Sequence, residues 1–410
     1  MAARRAIAER IAHTLDPFRR QQYTDGNRIV LLASAQRYFP RLHAAIAGAA
    51  HSVWLETYIL ADDATGRALI DALRAAAQRG VAVRVLVDGF GGGEFARRLA
   101  LSFPEFGAQL RIYRPQRWWR PQRRLFRRLH RKIAVVDDRI AFVGGINVDD
   151  SPAQDELTGE PIGPRLDFAV ECQGPIVAGI ALAVRRLWWR VGMTRLSVAA
   201  EPPPRRLPPG APFPDGVRAA VILRDNLRHR RSIEHSYVAA VRAARQHILI
   251  ACAYFQPGRR VRGALLAAAR RGVRVTLLLQ GRVEYRLQHY AQRALYGQLL
   301  AAGMEIHEYR RSYLHAKVAV IDQEWATVGS SNIDPLSLLL AREANVVVRD
   351  RAFCDQLRGD IEAAIRDDSR PLRAADYARR SVLTRAIDWI AYGAMRVATN
   401  ILARSRYWTS

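Results

Sequence analysis

LHRKIAVVDDRIAFVGGIN, Leu129 to Asn147, and LHAKVAVIDQEWATVGSSN, Leu314 to Asn332, align without a gap, and about half of their positions are identical. A duplication on this scale predicts two copies of one structural unit. Upstream of each copy, HSVWLETYIL from His51 and HILIACAYF from His247 read as strands, because both are apolar and rich in β-branched and aromatic residues. Each precedes an alanine-rich helical stretch, ALIDALRAAAQRG and ALLAAARRG, whose final Gly80 and Gly272 suit the left-handed position just past a helix end. Each helix then feeds a second apolar strand, VAVRVLVDG and VRVTLLLQG. The expected fold is α/β: a pseudo-symmetric duplication of two lobes, each a mixed β-sheet flanked by helices, with the active site at the lobe interface. The proline-dense EPPPRRLPPGAPFPDG, residues 201–216, reads as an extended linker between a first lobe at 27–200 and a second at 217–370. A basic extension, 1–26, and an amphipathic tail, 371–410, flank them.

Half of the 410 residues are hydrophobic, enough for a sizeable core in each lobe. The formal net charge is +26 and the pI about 11.1, which points to a polyanionic partner, either nucleic acid or an anionic membrane surface. A genome that favours arginine would explain the choice of cation, but not the excess of cations over anions. Cys172, Cys252 and Cys354 are far apart with no CxxC pair, which argues against a disulfide framework or a zinc site and fits a reducing compartment. The N-terminal MAARRAIAERIAHTLDPFRRQQ lacks the unbroken apolar core of a signal peptide. No run reaches the roughly 18 to 20 apolar residues that a transmembrane helix needs, so any membrane association is expected to be peripheral.

The chemistry concentrates in His-x-Lys followed by Asp: His130, Lys132 and Asp137 in one copy, His315, Lys317 and Asp322 in the other. Alternation along a strand puts each His and Lys on one face. The hairpin that follows returns to Gly-Gly-Ile-Asn and Gly-Ser-Ser-Asn, which brings Asn147 and Asn332 beside their own His-Lys pairs as candidate substrate ligands. Small residues before each Asn allow close approach. The chain holds 64 Lys and Arg, and only Lys132 and Lys317 are lysines. Random placement would select this pair in roughly one of 2,000 arrangements, so these positions call for a compact ammonium and not a planar guanidinium. The other eight histidines, His13, His43, His51, His229, His235, His247, His289 and His307, read as ordinary core or surface residues. No His/Cys/Asp/Glu cluster has metal-ligand spacing, and neither a metal nor another cofactor is expected.

This arrangement resembles the phospholipase D superfamily over most of the chain, from about Asn27 to about Asp367. Within it, LETYIL, AYFQP, EYRRSYLHAK, WATVGSSNIDPLSL and EANVVV are similar to the bacterial cardiolipin synthases of the B type, which lack N-terminal transmembrane helices. The resemblance implies that each lobe is of the phospholipase D type. It implies that one histidine attacks phosphorus while the other handles the proton of the alcohol, with the lysines and asparagines stabilising phosphoryl charge. Family logic and position assign Glu343 to orient His315 and Asp167 to orient His130. Asp137 and Asp322, although part of the motif, end strands at turns, and a structural role is expected for them.

The doubled motif alone does not choose among lipid, nucleic acid and other phosphodiesters. Two stretches favour lipid. RPQRWWRPQRRLFRRLHRK, Arg114 to Lys132, mixes arginines with Trp118, Trp119, Leu125 and Phe126, although such a mixture also stacks bases. SVLTRAIDWIAYGAMRVATNILARSRYW, Ser381 to Trp408, carries Leu383, Ile387, Ile390, Met395, Val397, Ile401 and Leu402 at mainly helical spacings. It reads either as an interfacial amphipathic helix or as a helix packed on the protein's own core. The Trp-Trp pairs at Trp118 and Trp188 are equally open between core and interface. The expected partners are phosphatidylglycerol and an anionic membrane surface, with no nucleic acid, at the cytoplasmic face of the bacterial inner membrane. The expected reaction joins two phosphatidylglycerols through a phosphatidyl-histidine on His130, although the pseudo-symmetry leaves the roles of His130 and His315 exchangeable. Hydrolytic phospholipase D and nuclease activity remain as alternatives.

Overall fold

The internal repeat folds into a nearly symmetric sheet. The computed structural model describes residues 22–115, 127–150, 154–155, 158–193, 204–225 and 229–404. The first lobe supplies β1 (Thr24–Ala33), β2 (Ser52–Thr57), β3 (Ala82–Asp88), β4 (Gln109–Tyr113), β5 (Lys132–Val136), β6 (Ile140–Gly144) and β7 (Phe168–Gln173). The second supplies β8 (Val217–Arg224), β9 (His247–Cys252), β10 (Arg274–Gln280), β11 (Glu305–Tyr309), β12 (Lys317–Ile321), β13 (Trp325–Gly329) and β14 (Glu343–Arg349), with β15 (Ser369–Pro371) at its edge. All join one sheet in the order β15-β11-β10-β9-β12-β13-β14-β8-β1-β7-β6-β5-β2-β3-β4. Apart from β15, the halves read as mirror lists about the β8–β1 contact. In each lobe the three outer strands are parallel and linked by helices, and the rest are antiparallel.

The seam is made by strands that the repeat search passed over. β1 pairs with β7 on one side and with β8 on the other, and β8 pairs with β14. The β1–β8 register shifts between Thr24 and Asn27. Asn27, fully buried, holds that irregularity: its amide donates to the Val217 carbonyl at 3.1 Å and its Oδ1 accepts from Ile176 N–H at 2.8 Å. β1 thus begins three residues ahead of the expected lobe start. A buried polar side chain is tolerated there because its donor and acceptor are both used.

The core has three parts. One lies on the outer helical face of each lobe, with Leu42, Leu73 and Phe142 in the first and Tyr237, Leu265 and Trp325 in the second. The third spans both lobes on the opposite face. There the helices Ile176–Met193 and Arg351–Asp368 bring Ile180, Trp188, Phe353 and Leu357 against Val170 and Val346. This shared core fixes one lobe against the other, and burial of the apolar surface on both sides drives it. Trp188 is therefore core. The N-terminal extension up to residue 21, the Trp118–Trp119 stretch with Leu125 and Phe126, and the last residues from 405 lie outside the described residues.

Candidate active site

Each His-Lys pair is led into its strand by a buried side chain at the end of a parallel strand two positions away in the sheet. Asp88 closes β3 and accepts the Leu129 amide at 2.7 Å, and Gln280 closes β10 and accepts the Leu314 amide at 2.8 Å. The histidines follow immediately, and each is hydrogen-bonded by backbone to the opposite lobe. His130 N–H donates to the Arg342 carbonyl at 3.0 Å, and His315 N–H donates to the Leu166 carbonyl at 2.8 Å. The residue after each of those carbonyls is a carboxylate.

This geometry overturns the expected pairing. His130 Nδ1 lies 3.1 Å from the Glu343 carboxylate, and His315 Nδ1 lies 2.6 Å from Asp167 Oδ2. Each lobe orients the other lobe's histidine. Proximity along the chain misled, because Asp167 immediately precedes β7 and Glu343 opens β14, next to the central seam, where their side chains reach across. The small residues before the asparagines make room for these carboxylates. A Cβ on Gly145 would stand 2.3 Å from Asp167 Oδ1, whereas Ser330 at the matching position donates its hydroxyl to Glu343 Oε2.

With Nδ1–H held by carboxylate, each imidazole keeps its Nε2 for chemistry. Lys132 Nζ donates to the His130 carbonyl at 2.8 Å, and Lys317 Nζ donates likewise to the His315 carbonyl. Both lysines are buried. Burial and the neighbouring Lys317 push Lys132 down to about 7, and burial also lowers Lys317. Burial lowers His130, which Glu343 partly counteracts. His315 is held well below the usual range by burial, by Lys317 and Lys132, and further by Arg165 and His130. Asp167 is raised by burial to about 6. Burial thus disfavours charge on each of these groups in the free site, and an arriving anion would favour the protonated lysines and histidines.

Asn147 and Asn332 are both buried. The Asn147 Oδ1 has no hydrogen-bond partner, and the residue lines a cavity of about 400 Å³ together with His315, Asp167, Asp149, Asp150 and Arg165. Asn147 therefore borders the opposite lobe's histidine. Asp137 and Asp322, the last members of the His-x-Lys and Asp motif, stand just past the far ends of β5 and β12 and not beside the histidines. Asp137 accepts backbone amides from Ala50, His51 and Ser52 at 2.7 to 2.8 Å, and Asp322 accepts those of Arg245, Gln246 and His247 at 2.8 to 3.0 Å. Both adopt a left-handed backbone, φ 51° and 52°, which aspartate tolerates in a tight turn.

Sequence reasoning missed several contributors. Tyr58, within LETYIL, packs at a tilt against His130 with ring centroids 4.9 Å apart and lies 5.3 Å under the Lys132 ammonium. Arg165 bridges Asp149 of its own lobe and Glu284 of the other at 3.0 and 3.2 Å. Tyr254 donates to the same Glu284. The only signal for the tyrosines was their place within LETYIL and AYFQP, where the register matches Tyr58 to Ala253 and not to Tyr254; the Arg165 bridge had none. Among the described residues, no group of three or more His, Cys, Asp or Glu side chains is placed to hold a metal.

The architecture and the paired half-sites are those of the phospholipase D class. The family profile described as "Cardiolipin synthase, PLD-like domain" matches residues 42–157 and 237–365. The chain belongs to this family of phospholipase D-like enzymes. It is similar to cardiolipin synthase B of Salmonella typhimurium, with 39% identity over 85% of this chain and 83% of that protein. It is equally similar to cardiolipin synthase B of Escherichia coli K12, with 39% identity over 84% of this chain and 82% of that one. Cardiolipin synthase A of Pseudomonas fluorescens is 31% identical over 90% and 74% of the two chains. Among solved structures, phosphatidylserine synthase of Haemophilus influenzae superposes with a TM-score of 0.70 over 96% of this chain and 98% of that one; at 12% identity this likeness bears on the fold alone.

Proposed function

We propose that the chain is a cardiolipin synthase that transfers a phosphatidyl group from one phosphatidylglycerol to another, releasing glycerol. The observation that carries this reading is the pair of opposed histidines, each with Nδ1 bound to the other lobe's carboxylate. In the first step His130 Nε2 attacks phosphorus, the bond from phosphorus to the headgroup glycerol oxygen breaks, and His315 gives that oxygen a proton. In the second step His315 takes the proton from a hydroxyl of the incoming phosphatidylglycerol, whose oxygen displaces His130 from phosphorus. Lys132, Lys317, Asn147 and Asn332 hold the phosphoryl oxygens. The assignment of His130 as nucleophile is supported by the cavity beside His315, whose Asn147, Asp149, Asp150 and Arg165 suit the hydroxyls of a polyol.

An arriving phosphodiester supplies the negative charge that raises the histidine and lysine values lowered in the free site. We assign the protein peripherally to the cytoplasmic face of the bacterial inner membrane. Among the described residues no helix is long and apolar enough to cross a membrane, and all three cysteines are free and buried. The test is to incubate purified protein with phosphatidylglycerol vesicles, with excess chelator present, and to separate the products. Cardiolipin and glycerol are expected in a one-to-one ratio. Accumulation of phosphatidic acid would make the protein a hydrolase, and cleavage of nucleic acid without lipid would move it to the nuclease branch. Turnover abolished by the chelator and restored by a metal would contradict the mechanism.

A further inference from the structure

The helix Val382–Arg404 packs with its apolar side outward. Toward the second lobe it turns Asp388, Ala391, Met395 and Thr399, all buried. Asp388 pairs with Arg380 at 2.7 Å, and Ala391 and Met395 cluster with Ala291 of the helix Arg286–Arg293. Away from the lobe, Leu383, Ile387, Ile390, Ala394, Val397 and Ile401 recur at alternating spacings of four and three residues, which places them on one stripe. All six are exposed, Leu383 to 71% and Ile390 to 72%. A helix serving only its own core would bury that stripe and expose Asp388 and Thr399. A continuous apolar stripe left in water marks a partner.

Charge identifies the partner. Ser381 to Arg404 contains one carboxylate, Asp388, which is already buried and paired. Arg385 and Arg396 line a cavity of about 520 Å³ with Arg262 of the second lobe, Trp389, Tyr377 and Tyr392. Among the described residues none of these three arginines pairs with a carboxylate. A second copy of the same helix would set cations against cations with no acidic counterpart, whereas an anionic bilayer complements both the stripe and the arginines. The helix also lies beside the active site. It packs on the Arg286–Arg293 helix, where Tyr285 just before the helix and Leu287 in its first turn are themselves exposed, and the adjacent Glu284 holds Arg165.

We propose that this helix docks the protein on an anionic bilayer, with the stripe at the boundary between headgroups and acyl chains and the arginine-lined cavity receiving lipid phosphate. The proposal rests on the phosphatidyl-transfer reading for its purpose, but its test does not. The full chain, an Ile387→Asp/Ile390→Asp variant and an Arg385→Glu/Arg396→Glu variant would be floated with phosphatidylglycerol or phosphatidylcholine vesicles. Turnover of phosphatidylglycerol in detergent micelles would be measured in parallel. Wild type is expected to float with phosphatidylglycerol, and each variant to lose about tenfold or more in that binding while keeping micelle turnover within about twofold. Undiminished vesicle binding by the aspartate variant overturns the proposal. So does a wild-type dimer in sedimentation that the aspartates split without loss of flotation, which would assign the stripe to a second copy. The charge-reversal pair, at exposed and half-exposed positions, decides the matter should the aspartates disturb the fold. Absence of micelle turnover in wild type would defeat the catalytic reading and leave the flotation result standing.

Discussion

The two half-sites share a backbone and differ in what stands behind and beside each histidine. Behind His130, Arg131 forms a buried ion pair with Glu56, and at the matching positions behind His315 there are only Ala316 and Ala251. Beside His130, Glu343 receives a second hydrogen bond from Ser330, and its charge favours the imidazolium. Beside His315, Gly145 leaves Asp167 without that hydroxyl, and burial raises Asp167 to about 6. Asp167 and His315 therefore compete for a single proton at 2.6 Å, and their titration belongs to the pair. The difference teaches how a duplicated site can divide labour. One histidine is held by a carboxylate that a serine hydroxyl also binds, and the other sits in a dyad suited to passing a proton to and from an alcohol.

Removing the histidines breaks this comparison most severely. His130→Ala and His315→Ala should each lose turnover by on the order of 10⁴-fold. They should differ with a lipid whose leaving group needs no proton: His315→Ala should still acquire a covalent lipid adduct on His130, and His130→Ala none. Intact-protein mass spectrometry reads the difference, and an adduct on His315 in the His130→Ala protein would exchange the two roles.

The crossed carboxylates provide a finer version of the same test. Glu343→Gln should slow adduct formation on His130, and Asp167→Asn should leave it intact while slowing transfer to the second lipid. Each should cost turnover by about 10² to 10⁴-fold, the range for losing the group that fixes a catalytic histidine. The opposite pattern would restore pairing within a lobe.

How far the sequence could be read follows from these contacts. The repeat made the duplication, the β2 and β9 strands, the helices after them and both His-Lys pairs legible, because all are local and apolar patterns with fixed spacing. The helix ends at Gly80 and Gly272 were legible too, with φ of 88° and 84°. β1 and β8 escaped, since TDGNRIVLLA begins with a polar, irregular stretch and the two strands mostly pair with partners far along the chain. The crossed pairing escaped for a related reason. Nothing local records which side of a seam a carboxylate faces; that depends on the shared core that seats the lobes against each other.

Replacing each ammonium by a guanidinium sharpens the comparison at a smaller scale. Lys132→Arg and Lys317→Arg should each lower turnover by about 100-fold, because a planar fork cannot reproduce a buried point contact to its own histidine carbonyl. The pH profile adds a sign. Lys132 is lowered to about 7 in the free site, so the charged form needed to bind phosphate is lost as pH rises through that value. The kcat/KM profile of wild type should fall above about pH 7, while kcat, reporting the loaded site, should hold to higher pH. In Lys132→Arg the fall in kcat/KM above pH 7 should flatten even as the rate drops. An unchanged alkaline limb would assign it to another group.

The smallest catalytic effect is expected at the residues that complete the motif. Asp137 and Asp322 each gather three backbone amides at the ends of their strands, and the two halves match there. For Asp137, burial acts to raise the carboxyl, but the three amides win and hold it below the ordinary range. Its contribution to stability is therefore full above the unfolded-state value and is lost as pH falls through the folded one. Asp137→Ala should cost about 2 kcal/mol, the scale of losing hydrogen bonds to a charged acceptor at a partly exposed site. The urea midpoint should fall near neutral pH, and the gap between variant and wild type should narrow in acid. Turnover per folded molecule should stay within about twofold. A loss of about 100-fold at an unchanged midpoint would return Asp137 to the catalytic set, and the same measurement on Asp322→Ala asks whether the two turns are as equivalent in energy as they are in geometry.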